Sequence, residues 1–395
     1  MTSIREHSSL RVEQIELRHI SMPLVAPFET SFGVEKEREG IIVTLRGGGL
    51  TGWGEVVASR EPGYSAETAQ TEWHILHDFI IPNVLGKEFA DVETLEKLYD
   101  GVRGHPMAKA GIQAALYDLL AQAQGVSLQK MLGGRGDRVR VGVSVGIQPS
   151  AEALVERVRA YLADGYTRIK MKIKPGRDVA DAKAVRKAFP DILLQVDANS
   201  AYTLDDAKTI KAMDDLNLLL IEQPLSEDDI FDHAKLQQQL KTALCLDESI
   251  LSARHARWAR ELGACRIINI KPGRVGGLRE AIRIHDYCAE HDIPVWCGGM
   301  LETGIGRAAN VALASLPNFK LPGDISASAR YWKEDIVEPE FTLNADGTLS
   351  VPTGPGLGVM VREDLLERLT IKKEVYRETQ KRGMAFPGLQ ARQEN

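Results

Sequence analysis

Cysteine, aromatic side chains and long apolar runs are all scarce in this chain, and each shortage excludes a class of protein. Only four of the 395 residues are cysteines, and their spacing matches neither a CxxC pair nor a metal-ligand set. We therefore expect Cys245, Cys265, Cys288 and Cys297 to be packed free thiols in a reducing compartment. No apolar stretch approaches the length of a membrane span, and the polar N-terminus lacks the apolar region of a secretion signal. These absences predict a cytoplasmic protein without a membrane partner.

An excess of charge of one sign is missing as well. The formal net charge is −6, which gives no electrostatic reason to expect nucleic acid as a partner. Hydrophobic residues make up 44% of the chain and charged residues 26%, as in an ordinary globular enzyme. A chain of this length can fold into a large barrel and a second structural unit.

From about residue 138 onward, short apolar runs typical of buried strands alternate with amphipathic segments typical of helices. The predicted strands cover residues 139–146, 168–173, 193–196, 218–221, 244–246, 267–270, 294–297 and 319–321. Eight such cycles predict an α/β fold, a parallel barrel with helices outside. A doubly wound open sheet is the alternative. It is disfavoured because charged residues follow consecutive strands here instead of gathering at a single switch point.

The two ends of the chain have a different pattern, which divides the chain into three parts. Residues 1–135 predict an α+β capping domain, with strands at 12–22, 40–46 and 51–57 and helices at 66–85, 91–102 and 105–124. Residues 136–330 form the predicted barrel. Residues 331–395 form a C-terminal segment with a predicted charged helix at 364–382 and no regular structure at 390–395.

Five charged residues follow five consecutive predicted strands. They are Lys172, Asp197, Glu222, Asp247 and Lys271, and the intervals between them are 25, 25, 25 and 24 residues. Because the carboxyl ends of barrel strands meet at one face, these side chains are expected to form one site. A helix cap or a salt bridge is the better explanation for any single carboxylate. Three carboxylates in phase, flanked by two lysines in phase, favour a site.

The chemistry of these groups favours a divalent-metal site flanked by proton-transfer groups. Three carboxylates without a histidine or cysteine favour Mg²⁺, with Mn²⁺ as a substitute. A metal opposed by two amines suits removal of a proton from the carbon next to a carboxylate, because the resulting dianion needs concentrated positive charge. Lys170 shares the strand face of Lys172 and is expected to add to that charge.

The segments around these residues closely resemble the enolase superfamily and, within it, the muconate-lactonising subgroup. Its metal and lysine motifs are matched by IKMKIKPG at 169–176, QVDAN at 195–199, IEQP at 221–224, LDES at 246–249 and NIKPGRVGG at 269–277. WCGGMLETG at 296–304 and LPGD at 321–324 are more specifically similar to the o-succinylbenzoate synthase/N-succinylamino acid racemase family. PFETSFG at 27–33 and GWGE at 52–55 extend the resemblance into the first domain.

This resemblance implies a (β/α)7β modified TIM barrel, whose cap combines the N-terminal residues with part of the C-terminal tail. It implies that Lys172 is the general base, Lys271 its opposed partner and Lys170 an auxiliary cation. The implied Mg²⁺ ligands are Asp197, Glu222 and Asp247, and the implied supporting residues are Asn199 and Glu248. The implied substrate contacts are Ser144, Gly299, Met300, Leu301 and Phe32.

Two further residues have alternative interpretations within this resemblance. Arg274 is expected either to tune Lys271 by its charge or to lie at the surface. Tyr64 is expected either to contact the substrate from the cap or to serve packing alone.

The resemblance implies an enzyme that removes the α-proton of a small carboxylate. The reaction is either o-succinylbenzoate synthesis, a lyase step of menaquinone biosynthesis, or N-succinylamino acid racemisation, an isomerase reaction, or both. Dipeptide epimerase and muconate cycloisomerase are alternatives, although the segment DIS at 324–326 lacks the second aspartate of the epimerase pair. Binding of a small acid without turnover is disfavoured because all five charged positions are present. The resemblance also implies a homo-oligomer, either a dimer or an octamer.

Overall fold

A computed structural model of the chain describes residues 9–378. The segment 390–395, predicted to lack regular structure, lies outside the described residues. The strands are Leu10–Arg11, Gln14–Glu29, Val34–Gly47, Leu50–Val56, Glu88–Phe89, Arg138–Arg140, Val143–Val145, Arg168–Lys172, Leu193–Asp197, Ile221–Glu222, Leu244–Leu246, Ile267–Ile270, Val295–Cys297, Val337–Glu338, Thr348–Ser350, Met360–Val361 and Thr370–Arg377.

The α-helices are Ala69–Ile75, Ile81–Val84, Val92–Tyr99, Pro106–Gln124, Leu128–Leu132, Ala151–Ala163, Val179–Ala188, Ala207–Lys211, Ile230–Gln237, Ala253–Leu262, Pro272–Val275, Leu278–Glu290, Gly304–Ala314 and Glu363–Leu369. A π-helix at Leu76–Ile80 joins the first two of them. Short 3-10 helices cover Leu204–Asp206 and Ser328–Arg330.

Seven parallel strands form the central sheet in strict sequence order, from Val143–Val145 to Val295–Cys297. We number them barrel strands one to seven: Val143–Val145, Arg168–Lys172, Leu193–Asp197, Ile221–Glu222, Leu244–Leu246, Ile267–Ile270 and Val295–Cys297. Their interiors are buried, as expected of strands that are covered on both faces. This α/β architecture confirms the predicted barrel and excludes the doubly wound sheet.

The eighth barrel position differs from the prediction, because residues 319–321 do not form a strand. Instead, Phe319 makes one isolated parallel bridge to Val295, and Gly323 makes another to Val141. The Gly323 amide donates to the Arg140 carbonyl, and the Asp324 amide donates to the Cys297 carbonyl. Pro322 has no amide hydrogen, so a continuous ladder cannot run through this segment. The segment still connects strand seven with the residues that directly precede strand one.

The cap is built on an antiparallel sheet of four strands, which follow the order Thr370–Arg377, Gln14–Glu29, Val34–Gly47 and Leu50–Val56. The long helix Pro106–Gln124 packs directly on the last of these strands. A Cβ atom at Gly52 or Gly54 would lie 2.2 or 2.0 Å from a backbone oxygen of that helix. Glycine is therefore required at both positions for the helix to approach the sheet.

The prediction of one helix over 364–382 is wrong. The helix Glu363–Leu369 ends at Thr370, whose backbone is extended, and Thr370–Arg377 is a strand that pairs with Gln14–Glu29. The β-branched and aromatic residues Ile371, Val375 and Tyr376 favour a strand over a charged helix. This pairing places the C-terminal strand at one edge of the cap sheet. Residues 379–382 lie outside the described part of the chain.

All four cysteines are buried and free, as predicted. Over residues 9–378, the helices include none that combines the length and apolar character required to cross a membrane.

Glu55 ties the cap to the barrel. It lies on the strand Leu50–Val56, and its carboxylate accepts hydrogen bonds from the Thr303 hydroxyl, the Thr303 amide and the Gly306 amide. These donors lie at the beginning of the helix Gly304–Ala314, which follows barrel strand seven. Burial raises the pKa of Glu55 to about 7, although the hydrogen bonds from Thr303 act in the opposite direction.

We predict that Glu55→Ala lowers the free energy of unfolding by about 3 kcal/mol, because several buried donors lose their common acceptor. The measurement is urea unfolding followed by circular dichroism. Glu61→Ala, on the exposed loop after the same strand, is the matched control and should unfold like the unmodified protein. Equal midpoints for the Glu55 and Glu61 variants would contradict the proposed tie.

Candidate active site

The five spaced residues all lie at the carboxyl ends of consecutive barrel strands. Lys172, Asp197 and Glu222 are the last residues of strands two, three and four, and they are register partners in the sheet. Asp247 and Lys271 directly follow strands five and six. The three carboxylate residues have no exposed surface, and Lys271 is 4% exposed. The spacing therefore brings five ionisable groups together in one buried site.

Ion pairs connect these groups. Lys170 Nζ lies 3.0 Å from Asp197 Oδ2 and 3.1 Å from Glu222 Oε2. Lys172 Nζ lies 2.7 Å from Asp197 Oδ2, and Lys271 Nζ lies 2.7 Å from Asp247 Oδ2. In a low-dielectric interior, each of these contacts offsets a large desolvation cost. Lys170 bridges two of the carboxylates from within the barrel.

Burial opposes ionisation of all three carboxyl groups, and the neighbouring charges decide the outcome. Lys170 and Lys172 outweigh burial at Asp197 and hold its pKa below the usual range. Lys271 and Arg274 do the same for the pKa of Asp247. At Glu222, burial reinforced by Asp197 raises the pKa well above its ordinary value. Burial and Asp197 therefore outweigh Lys170 and Lys271 at Glu222, unlike at the two aspartates.

The charge states of the lysines also follow from their neighbours. Burial lowers the pKa of Lys271, but the neighbouring Asp247 carboxylate raises it by more, so the net shift is upward. Asp197 and Asp324 likewise outweigh burial and raise the pKa of Lys170. Both residues are therefore held as ammonium groups in this structure.

The donor set suits a hard divalent cation. Asp197, Glu222 and Asp247 offer only carboxylate oxygens, the ligands that Mg²⁺ prefers. One buried oxygen of Glu248, Oε2, has no hydrogen-bond partner among the described residues. An unpartnered buried carboxylate oxygen beside this trio fits a site that gains positive charge when it is loaded.

A different group of residues also has a metal-like arrangement of ligand atoms. Among residues 9–378, the group of ligand atoms that all lie within 4.8 Å of one another is Glu67, Glu72 and His105. The oxygens of the predicted trio instead form ion pairs with Lys170, Lys172 and Lys271.

The predicted supporting residues surround the carboxylates. Asn199 accepts a hydrogen bond from Lys172 Nζ, at 2.7 Å, and donates one to Glu248 Oε1, at 2.8 Å. Arg274 is 2% exposed; its guanidinium pairs with Asp247 and donates to the Asn269 carbonyl, at 2.6 Å. The surface interpretation of Arg274 is therefore wrong.

A cavity, partly open to solvent, lies over the lysines. The residues predicted as substrate contacts all line it: Ser144, Gly299, Met300, Leu301, Phe32 and Tyr64. Lys170, Lys172, Lys271 and Asn199 line it too. The hydroxyl of Ser144 is buried and has no hydrogen-bond partner in the described chain. It is therefore available to a ligand.

Tyr64 contacts the charged groups directly. Its hydroxyl donates to Asp247 Oδ1, at 3.0 Å, and accepts from Lys271 Nζ, at 3.2 Å. The ammonium of Lys271 lies 4.5 Å from the centre of the Tyr64 ring, within cation–π distance. Packing alone does not describe this residue, because it links the cap to Asp247 and Lys271.

Sequence reasoning missed other residues of the cavity. Asp324 pairs with Lys170 Nζ at 2.6 Å and with Arg168 Nη1 at 2.6 Å. Its position after the eighth barrel segment was a usable signal, but nothing in the spacing indicated these ion pairs. Glu35, Arg38 and Ser59 also line the cavity from the cap, and no motif marked them.

Comparison with known proteins agrees with this geometry. Residues 14–133 match the family model of the mandelate racemase/muconate lactonizing enzyme N-terminal domain, and residues 153–365 match that of the enolase C-terminal domain-like family. The chain is 52% identical to an o-succinylbenzoate synthase of Bacillus subtilis (strain 168), over 93% of this chain and 99% of the relative. It is 51% identical to an N-succinylamino acid racemase of Amycolatopsis sp, over 92% and 99%.

A solved structure shows the same fold. It is a member of the enolase superfamily from Listeria innocua Clip11262, with a TM-score of 0.89 and 42% identity, and the match covers 93% of this chain and 99% of that one. The chain therefore belongs to the enolase superfamily, within its muconate-lactonising subgroup and the o-succinylbenzoate synthase/N-succinylamino acid racemase family.

Proposed function

We propose that this enzyme removes the α-proton of a small carboxylate with Lys172, and that it acts as an o-succinylbenzoate synthase, as an N-succinylamino acid racemase, or as both. The observation that supports this proposal is one cavity lined by Lys172 and Lys271, which come from barrel strands two and six. In an eight-position ring, these strands lie on opposite sides. A carbon atom held between the two amines can be approached by either from its own face.

The carboxylate of the substrate is bound at the floor of the cavity. Asp197, Glu222 and Asp247 would hold Mg²⁺, or Mn²⁺ as a substitute. When bound, the ion supplies positive charge to the substrate carboxylate as negative charge develops on it. Lys170 adds a fixed ammonium at the same end, because Asp197, Glu222 and Asp324 keep it charged. Asn199 orients Lys172 through a 2.7 Å hydrogen bond.

In the synthase reaction, Lys172 takes the α-proton of a cyclohexadiene carboxylate. The electron pair of that C–H bond moves into the ring, and the hydroxyl group leaves as water with a proton from the Lys172 ammonium, which gives the aromatic 2-succinylbenzoate of menaquinone biosynthesis. Lys271, held as an ammonium by Asp247, stabilises the negative charge from the other face.

In the racemase reaction, the same two lysines exchange protons with an N-succinylamino acid. Lys172 removes the proton from one face, and the Lys271 ammonium returns one to the opposite face, which inverts the carbon. The reverse direction uses Lys271 as base. Both reactions begin with removal of an α-proton and pass through an enediolate, so one site can support both.

Two related activities are less well supported. A relative named L-Ala-D/L-Glu epimerase, from Bacillus subtilis (strain 168), is 29% identical, far below the synthase and racemase relatives. A dipeptide ammonium would need a second acidic group after Asp324, where this chain has Ser326. Muconate cycloisomerase shares the lysines and carboxylates, and nothing in the site favours it. We place the enzyme in the cytoplasm as a homo-oligomer, a dimer or an octamer, on family resemblance.

We predict that Lys172→Ala lowers kcat for both reactions by at least about a thousandfold, because the general base is lost. The measurement is dehydration followed by ultraviolet absorbance, and racemisation followed by polarimetry. Circular dichroism should match the unmodified enzyme. Lys183→Ala, an exposed lysine in the helix Val179–Ala188, is the control and should retain full activity. Retention of elimination near the unmodified rate in Lys172→Ala would refute the base assignment.

We predict that Glu222→Gln abolishes activity and weakens Mg²⁺ binding by at least about tenfold, since a neutral amide replaces a charged ligand. Isothermal titration of the metal-free protein measures binding directly. Glu227→Gln, in the loop after barrel strand four, is the control. Identical titration curves for the Glu222 variant and the unmodified enzyme would show that Glu222 is not a ligand.

We predict that the enzyme racemises an N-succinylamino acid at least about a hundredfold faster than the free amino acid with the same side chain, because the succinyl carboxylate finds a partner in the cavity and the free amino acid does not. Deuterium uptake at the α-carbon, followed by NMR in D₂O, measures both. Equal rates for the two substrates count against the proposed substrate class.

A further inference from the structure

Three polar side chains of the cap line the same cavity as the reactive lysines. Glu35 and Arg38 lie on the strand Val34–Gly47, and Ser59 follows the strand Leu50–Val56. We call these three residues the roof cluster. None of them takes part in the proton transfer described above, so their place in the cavity needs another explanation.

The roof cluster is fixed by its own hydrogen bonds. Arg38 Nη1 donates to the Ser59 hydroxyl and lies 3.4 Å from Glu35 Oε1, and Nη2 donates to the Val57 carbonyl. The Ser59 hydroxyl donates to Glu35 Oε1, at 3.0 Å. The Arg38 side chain is 6% exposed and that of Glu35 is 29% exposed. Arg38 is therefore held in place, and Glu35 is the more accessible charged member.

One oxygen of Glu35 is open to a ligand. Within residues 9–378, both donors to this carboxylate reach Oε1, and Oε2 receives none. A ligand group that covers Glu35 displaces the water around Oε2. An aliphatic group leaves Oε2 without a hydrogen bond, whereas an N–H group replaces the hydrogen bond that the water made. The cluster therefore discriminates between side chains by whether they carry a donor.

The proposed reaction places a substrate side chain beside this cluster. The reacting carbon lies between Lys172 and Lys271, with its carboxylate toward the acidic trio. The succinyl chain has an unpartnered donor in the Ser144 hydroxyl, on barrel strand one. The remaining substituent of the reacting carbon is the amino-acid side chain, and it is left to extend toward the cap.

We propose that the roof cluster selects N-succinylamino acids whose side chain ends in an N–H donor, an ammonium or a carboxamide, with Glu35 as its acceptor. This inference rests on the racemase reaction of the proposed function. Lysine and glutamine derivatives satisfy it. The norleucine derivative resembles lysine without its terminal amine and leaves Glu35 without a partner. The glutamate derivative brings a second carboxylate next to Glu35.

The test compares α-proton exchange in D₂O for the N-succinyl derivatives of L-lysine, L-glutamine, L-norleucine and L-glutamate. We expect kcat/KM to be about tenfold or more higher for lysine and glutamine than for norleucine, and lowest for glutamate. Comparison of the lysine derivative with the glutamine derivative shows whether the side chain must be charged or whether a neutral N–H donor is sufficient. A norleucine or glutamate derivative that exchanges best overturns the inference but leaves the proposed function intact. Exchange of none of the four contradicts the racemase function itself, and the inference with it.

Variants test whether Glu35 is the cause. Glu35→Leu should bring the lysine-to-norleucine ratio of kcat/KM close to one, because the acceptor is gone. Glu37→Leu is the matched control, since Glu37 lies exposed on the same strand and does not line the cavity; its ratio should equal that of the unmodified enzyme. An unchanged ratio in Glu35→Leu, or an equal loss in Glu37→Leu, assigns the selectivity elsewhere.

Discussion

The structure depends on opposite charges that are buried together at one end of a barrel. Three carboxylates without exposed surface would be strongly destabilising alone, and the side-chain nitrogens of Lys170, Lys172 and Lys271 lie 2.7 to 3.1 Å from their oxygens. The barrel makes this arrangement possible because each strand contributes one charged residue at its carboxyl end. The same compensation sets the chemistry, since it keeps amines and carboxylates within reach of one bound molecule.

The cap completes the site. Tyr64 reaches from the cap to Asp247 and Lys271, and Ser31 donates to the Asn199 carbonyl. Glu55 fixes the cap to the start of the helix that follows the loop of Gly299. The barrel therefore supplies the reactive groups, while the cap shapes the space around the substrate. A division of this kind lets the substrate change while the proton chemistry stays the same.

The site residues could be predicted from the sequence where charged residues recur at a fixed spacing. One charged residue after each buried strand identified Lys172, Asp197, Glu222, Asp247 and Lys271, and the structure brings all five together. Prediction failed where structure depends on long-range partners. The segment at 319–321 has the composition of a strand. Pro322 has no amide hydrogen, however, and the segment makes isolated bridges in place of a continuous ladder. The strand Thr370–Arg377 pairs with Gln14–Glu29, a partner at the other end of the chain that no local pattern identifies.

Single side chains of the cavity also escaped prediction because they depend on long-range partners. Glu35 and Ser59 are distant in the sequence and meet only because two cap strands pair, so no local pattern marked them.

The central claim concerns the two lysines, and one measurement tests it most directly. It is α-proton exchange in D₂O by the variants Lys172→Ala and Lys271→Ala, measured separately for the L and D enantiomers of one N-succinylamino acid. Two opposed bases predict that each variant loses racemisation but still exchanges the proton of one enantiomer, a different one for each variant. Exchange of the same enantiomer by both variants, or of both enantiomers by either, would contradict the account.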